Sequence, residues 1–132
     1  MSIGLLLVTH NDLGSVLLET ATKMLGRCPL RCESLTILDS SDRDLLQEQA
    51  KQMAADLDQG DGVLVLTDIF GSTPANIACR LKTDGDSRAV ITGVNLPMLV
   101  RILNYSHLDL HTLTEKALSG GRDGVVICHS PK

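Results

Sequence analysis

Apolar and polar positions alternate between two patterns along the chain. Near-continuous apolar runs, Ile3 to Val8 and Val63 to Thr67, read as strands buried on both faces, which belong to parallel sheets covered by helices, and Ala89 to Val94 reads as a further strand. Between them apolar residues recur at helical spacing. Leu13, Val16, Leu17, Ala21 and Met24 predict a first helix, with Asn11 or Asp12 to cap its start and Gly26 to end it. A strand from about Glu33 to Leu38 precedes Ser40, Ser41 and Asp42, after which Leu46, Ala50, Met53 and Leu57 mark one face of a second helix. In "IFGSTPAN", Thr73 followed by Pro74 predicts a helix start, the hydroxyl capping and the proline giving up no needed N–H, with the helix running to about Leu81. "NLPMLVRIL" predicts a short helix, Leu110 to Leu118 another, and Val125 to Cys128 a last strand after Gly120, Gly121 and Gly124.

Strands alternating with helices at this spacing imply an α/β fold, an open parallel sheet with helices on both faces and right-handed crossovers. In the common order 2-1-3-4, strands one and three are neighbours, and the crevice at their carboxyl ends is the expected ligand site. His10 stands at the end of the first strand and Asp68 at the end of the third. Neighbouring strands lie roughly 5 Å apart, so the two side chains are placed to meet. A carboxylate accepting from one ring nitrogen fixes the tautomer and leaves the other lone pair to act as a nucleophile. The starts of the first and third helices then aim N–H groups and positive dipole ends at the crevice. Gly71 admits a ligand close to the backbone, and Ser72 and Thr73 add hydroxyls. An imidazole facing an oxyanion cradle points to a phosphoryl group carried on histidine. The plainer alternatives are helix caps for Ser72 and Thr73 and an Asx-type turn for Asp68.

Composition narrows the class. The chain has 132 residues, enough for a single domain over residues 1–132, and its 43% apolar and 21% charged residues are those of a globular rather than a disordered protein. Formal charge is −4 and the Lys and Arg residues are scattered singly, which argues against a nucleic-acid footprint. No apolar stretch approaches the roughly 20 residues of a membrane span, and no signal-peptide pattern opens the chain, so no membrane insertion and a cytoplasmic location are expected. Cys28, Cys32, Cys79 and Cys128 are then expected as free thiols, the C-x3-C spacing matching neither common redox nor zinc patterns. His107 and His111, four apart, and His129 read as solvated surface histidines without a carboxylate partner, and nothing calls for a metal or another cofactor. Nucleotide-binding glycine loops and the hydrolase G-x-S-x-G elbow are absent from the sequence.

The opening "GLLLVTHNDLG", the central "LTDIFGSTPAN" and the later "GVNLPML" together resemble the mannose-type IIA components of the bacterial phosphoenolpyruvate-dependent sugar phosphotransferase system (PTS), over essentially the whole chain. That resemblance implies that His10 is phosphorylated by the general phosphocarrier protein HPr and passes the group to a IIB component, with Asp68 orienting the imidazole and Thr73 matching a hydroxyl residue associated with the site. It also implies a homodimer formed by exchange of the C-terminal strand, making Val125 to Cys128 a swapped antiparallel edge. Because the sequence ends at Lys132 soon after that strand, the acceptor is expected to be a separate IIB component or a regulatory target. Two rivals stay open. A response-regulator receiver phosphorylated on Asp68 needs an acidic pair after strand one, where this chain has His10, Asn11 and a lone Asp12, and its lysine finds only a superficial match in the terminal "SPK". A non-catalytic module that binds a partner and regulates it is the other.

Overall fold

Odd and even positions of the central strands face opposite layers of helix. The computed structural model describes residues 2–82 and 87–129. Its strands are β1 (Gly4–His10), β2 (Arg31–Ile37), β3 (Val63–Thr67) and β4 (Arg88–Ile91), all parallel, in the spatial order β2-β1-β3-β4. The helices are α1 (Leu13–Leu25), α2 (Arg43–Leu57), α3 (Thr73–Cys79), α4 (Leu96–Asn104) and α5 (Leu110–Asp123). Leu5 and Leu7 join Leu64 and Leu66 in a core completed by α1, α4 and α5, whereas Leu6 and Val8 join Val63 and Val65 beneath α2 and α3. Leu5 to Val8 are wholly buried, each side chain contributing about 1.5–3 kcal/mol. Burial on both faces is why β1 and β3 read as unbroken apolar runs.

The predicted 2-1-3-4 order and the helices on both faces are observed. Several details differ. In α1 the buried stripe runs through Gly14 and Ala21 with Leu17 and Leu18 beside it, so Leu13, Val16 and Met24 of the predicted face are exposed. Gly120 and Gly121 lie inside α5 rather than in a loop, where a Cβ on either would come within 2.7 Å of Arg101 or Met98 on α4. They are close-packing residues, which sequence alone confuses with turn residues. Val125 to Cys128 pairs with no strand of the described chain, and its side chains are exposed. The terminal "SPK" lies outside the described residues, at 130–132.

Candidate functional site

The side chain of His10 follows the even-numbered parity of β1, which turns it toward the α2 and α3 layer. A tight turn holds it there. Asn11 takes a left-handed φ of 49° and its N–H donates to the Ile37 carbonyl at 3.1 Å, while buried Thr9 accepts the Gly14 N–H at 2.8 Å. Thr9 thereby does the capping work expected of Asn11 or Asp12, since Asp12 occupies the N-cap position without a side-chain bond.

Asp68 begins the turn after β3, next to β1, and meets His10 twice. Its Oδ2 accepts from the His10 backbone N–H and from ring Nδ1, both at 2.8 Å, and its Oδ1 accepts the Ile69 N–H at 2.8 Å. Burial pushes the Asp68 carboxyl up, but the bonds from the His10 N–H, the His10 ring and the Ile69 N–H outweigh it and hold the group below its ordinary value. An ionised Asp68 accepts only, so Nδ1 carries the proton and the lone pair lies on Nε2, which has no partner among the described residues. The side chain of Asp68 is 10% exposed and that of His10 42%. The carboxylate is therefore the backing and the imidazole the working surface.

His10 opens onto a cavity of about 80 Å³, lined also by Leu38, Ser41, Arg43, Thr73 and Pro74. At about 30 Å³ per water, that is room for a group the size of a phosphoryl. Gly71, at φ +85°, shapes the turn that brings the start of α3 to this edge, a backbone conformation that a Cβ would strain. Ser72, not Thr73, caps α3: its Oγ accepts the Ala75 N–H at 3.4 Å and donates to the Ile69 carbonyl at 2.6 Å. Proline at the second helical position leaves the preceding threonine side chain free of the capping role, and Thr73 faces the cavity instead. No residue of α1 lines this cavity; the helix starts that do are those of α2 and α3, because residue parity sends His10 to that side.

Sequence reasoning passed over Arg43 and the exposed apolar residues at the same edge. Phe70 is 80% exposed, Ile69 61%, Leu38 50% and Leu13 43%. The signal was present in Phe70, the sole phenylalanine of the chain, set among turn residues where no core could use it. Elsewhere the expected surface histidines are exposed, although His111 does have a carboxylate partner, Glu115 Oε1, at 2.9 Å. All four cysteines are free. The Cys28 and Cys32 sulfurs lie 3.3 Å apart, and burial, then Cys28, pushes the Cys32 thiol up. Among the described residues, no cluster of three or more His, Cys, Asp and Glu side chains is arranged to hold a metal, and no helix is long and apolar enough to cross a membrane.

Comparison with known proteins gives a consistent result. The family model EIIA-man, described as PTS system fructose IIA component, matches residues 4–118. The chain is 34% identical over 127 residues to the PTS system mannose-specific EIIAB component of Escherichia coli K12, covering 95% of this chain and 39% of that protein. It thus spans well under half the length of that relative. It is also 32% identical over 115 residues to the transcriptional regulatory protein LevR of Bacillus subtilis, covering 84% of this chain and 12% of LevR. In fold it is similar to the mannose/sorbose-specific IIA subunit from Enterococcus faecalis, at a TM-score of 0.88 and 19% identity over 100% of this chain and 98% of that one.

Proposed function

The chain belongs to the EIIA-man family of PTS IIA components, and from that premise we propose that it is a phosphocarrier that accepts a phosphoryl group on His10 from phospho-HPr and passes it to a IIB component. The observation that carries this reading is the 2.8 Å contact between Asp68 and Nδ1, which leaves Nε2 as the nucleophile at the mouth of a small polar cavity. In the forward step Nε2 attacks phosphorus as the N–P bond to the donor histidine breaks. The Nδ1 proton stays on the ring, and Asp68 stabilises the imidazolium character that develops. Transfer through a loose transition state needs positioning and charge stabilisation more than covalent help, and Thr73, which lines the cavity, supplies a hydroxyl toward that end. The exposed apolar residues Leu13, Leu38, Ile69 and Phe70 favour protein partners over a free small molecule.

Regulatory use of the same phosphoryl group is the second reading, favoured by the likeness to LevR. We further read the chain as a homodimer in which Val125 to Cys128 pairs with a second copy; three exposed β-branched residues in a row, Val125, Val126 and Ile127, support that.

Incubation with phosphoenolpyruvate, the first enzyme of the pathway and HPr tests the proposal. Intact mass is expected to rise by one phosphoryl group, stable to base and labile to acid, and the adduct is expected to be absent in His10→Ala. No adduct on the wild type, or an adduct that persists in His10→Ala, overturns it; a base-labile adduct would favour Asp68 as the acceptor. Sedimentation of the same preparations is expected to give a dimer, and a monomer overturns the strand exchange.

A further inference from the structure

The cavity beside His10 is lined by one permanently charged cation, which has no hydrogen-bond or ion-pair partner among the described residues. Arg43 is the first residue of α2, its side chain is exposed, and it lines the same cavity as His10 and Thr73. Asp39, Asp42 and Asp44 flank it in sequence, yet Arg43 makes no ion pair among the described residues. Asp42 is committed elsewhere, accepting the N–H groups of Asp44 and Leu45 as the cap of α2. The paired arginine at the other end of the sheet, Arg88, shows the contrast, since it lies 2.7 Å from Asp58. A guanidinium with no ion pair among the described residues, lining the same cavity as a nucleophilic imidazole, has a definite chemical use: its planar fork of donors matches the oxygens of a phosphoryl group.

We propose that Arg43 binds the phosphoryl group carried on His10, donating hydrogen bonds to its oxygens during transfer and while the group rests on Nε2. The inference rests on the phosphohistidine reading above and adds to it a cationic ligand on α2. Arg43 neither gains nor loses a proton; the N–P bond to the donor breaks as the N–P bond to Nε2 forms. Asp39 lines the same cavity and opposes a phosphoryl dianion, so Arg43 is the group that makes the cavity tolerant of that charge.

The test uses the full chain with phosphoramidate, a small phosphoryl donor that needs no partner protein, followed by intact mass and phosphorus NMR. Arg43→Gln is expected to slow phosphohistidine formation by about tenfold and to shorten the lifetime of the adduct, the loss of one charge-assisted contact in the transition state. Arg43→Lys is expected to recover part of the rate, which a merely structural role would not produce. An Arg43→Gln rate within about twofold of wild type overturns the proposal, because a lost transition-state donor costs more than that. A lysine variant no better than glutamine does the same. Wild type that reacts with phosphoramidate but not with phospho-HPr overturns the proposed partner and leaves the Arg43 comparison standing. No phosphohistidine from either donor overturns both.

Discussion

The two ends of the sheet each hold a carboxylate kept below its ordinary pKa, and they are built to opposite purposes. At the amino end Asp58 accepts the Gly60 and Gly62 N–H groups and pairs with Arg88, bonds that outweigh its burial and close the turn between α2 and β3. At the carboxyl end Asp68 uses one oxygen on His10 and the other on Ile69, and the imidazole it holds keeps a free nitrogen facing outward. The first cluster spends its polar groups on one another. The second leaves Nε2, Thr73 and Arg43 without side-chain partners among the described residues, with exposed Leu38 lining the cavity and exposed Ile69 and Phe70 directly following Asp68 in the chain. A depressed carboxylate alone therefore does not mark a functional site; what marks it is the reactive group left over once the carboxylate has been satisfied.

Substitutions that exchange or erase these roles sharpen the contrast. The largest effect is expected at Asp68→Asn, which can hold the ring in the wrong tautomer and slows phosphoryl transfer by on the order of 10² or more in rapid-quench assays. A wild-type rate in that variant would remove Asp68 from the mechanism and make the two ends equivalent. Next comes Phe70→Ala, expected to raise the KM for phospho-HPr about tenfold while the rate with phosphoramidate stays unchanged, since an exposed aromatic acts in docking and not in chemistry. Equal losses with both donors would place Phe70 in the chemistry instead.

The smallest effect belongs to the closed end. Asp58→Asn is expected to lower stability by about 1 kcal/mol in urea titration and to leave transfer rates alone. Because the folded pKa of Asp58 is lowered, its contribution is fully present above the unfolded carboxylate range near pH 4 and is lost as pH falls toward the folded value. The wild type should therefore lose stability on acidification below about pH 4.5 more steeply than the variant. Parallel curves would show that the cluster is not the clamp described here.

Much of the site was legible because strand ends carry their own signature. An apolar run that stops at a titratable residue, twice, in a chain whose alternation implies a parallel sheet, places His10 and Asp68 at the same end of the sheet, and the common 2-1-3-4 order makes their strands neighbours. Gly71, Ser72 and Thr73 were legible as a turn and a helix start, but their division of labour was not. Which hydroxyl caps and which faces the cavity depends on where the helix begins relative to Pro74, a shift of one residue that local propensity does not resolve.

The sequence by itself determined the α/β class, the placing of His10 and Asp68 at strand ends and the resemblance that gave the family, all of which follow from periodicity and from motifs local in the chain. Their meeting was expected on the common 2-1-3-4 order, which the structure has. The tertiary structure decided what depends on how elements face one another. Residue parity along β1 turned His10 toward α2 and away from α1. The close approach of α4 and α5 gave Gly120 and Gly121 a packing role inside a helix, where a Cβ would collide with Arg101 or Met98. Packing of α2 against the sheet set Arg43, thirty-three residues from His10 in sequence, at the edge of the same cavity. No local pattern encodes such a meeting, because its cause is the shared burial of apolar faces that are distant in the chain.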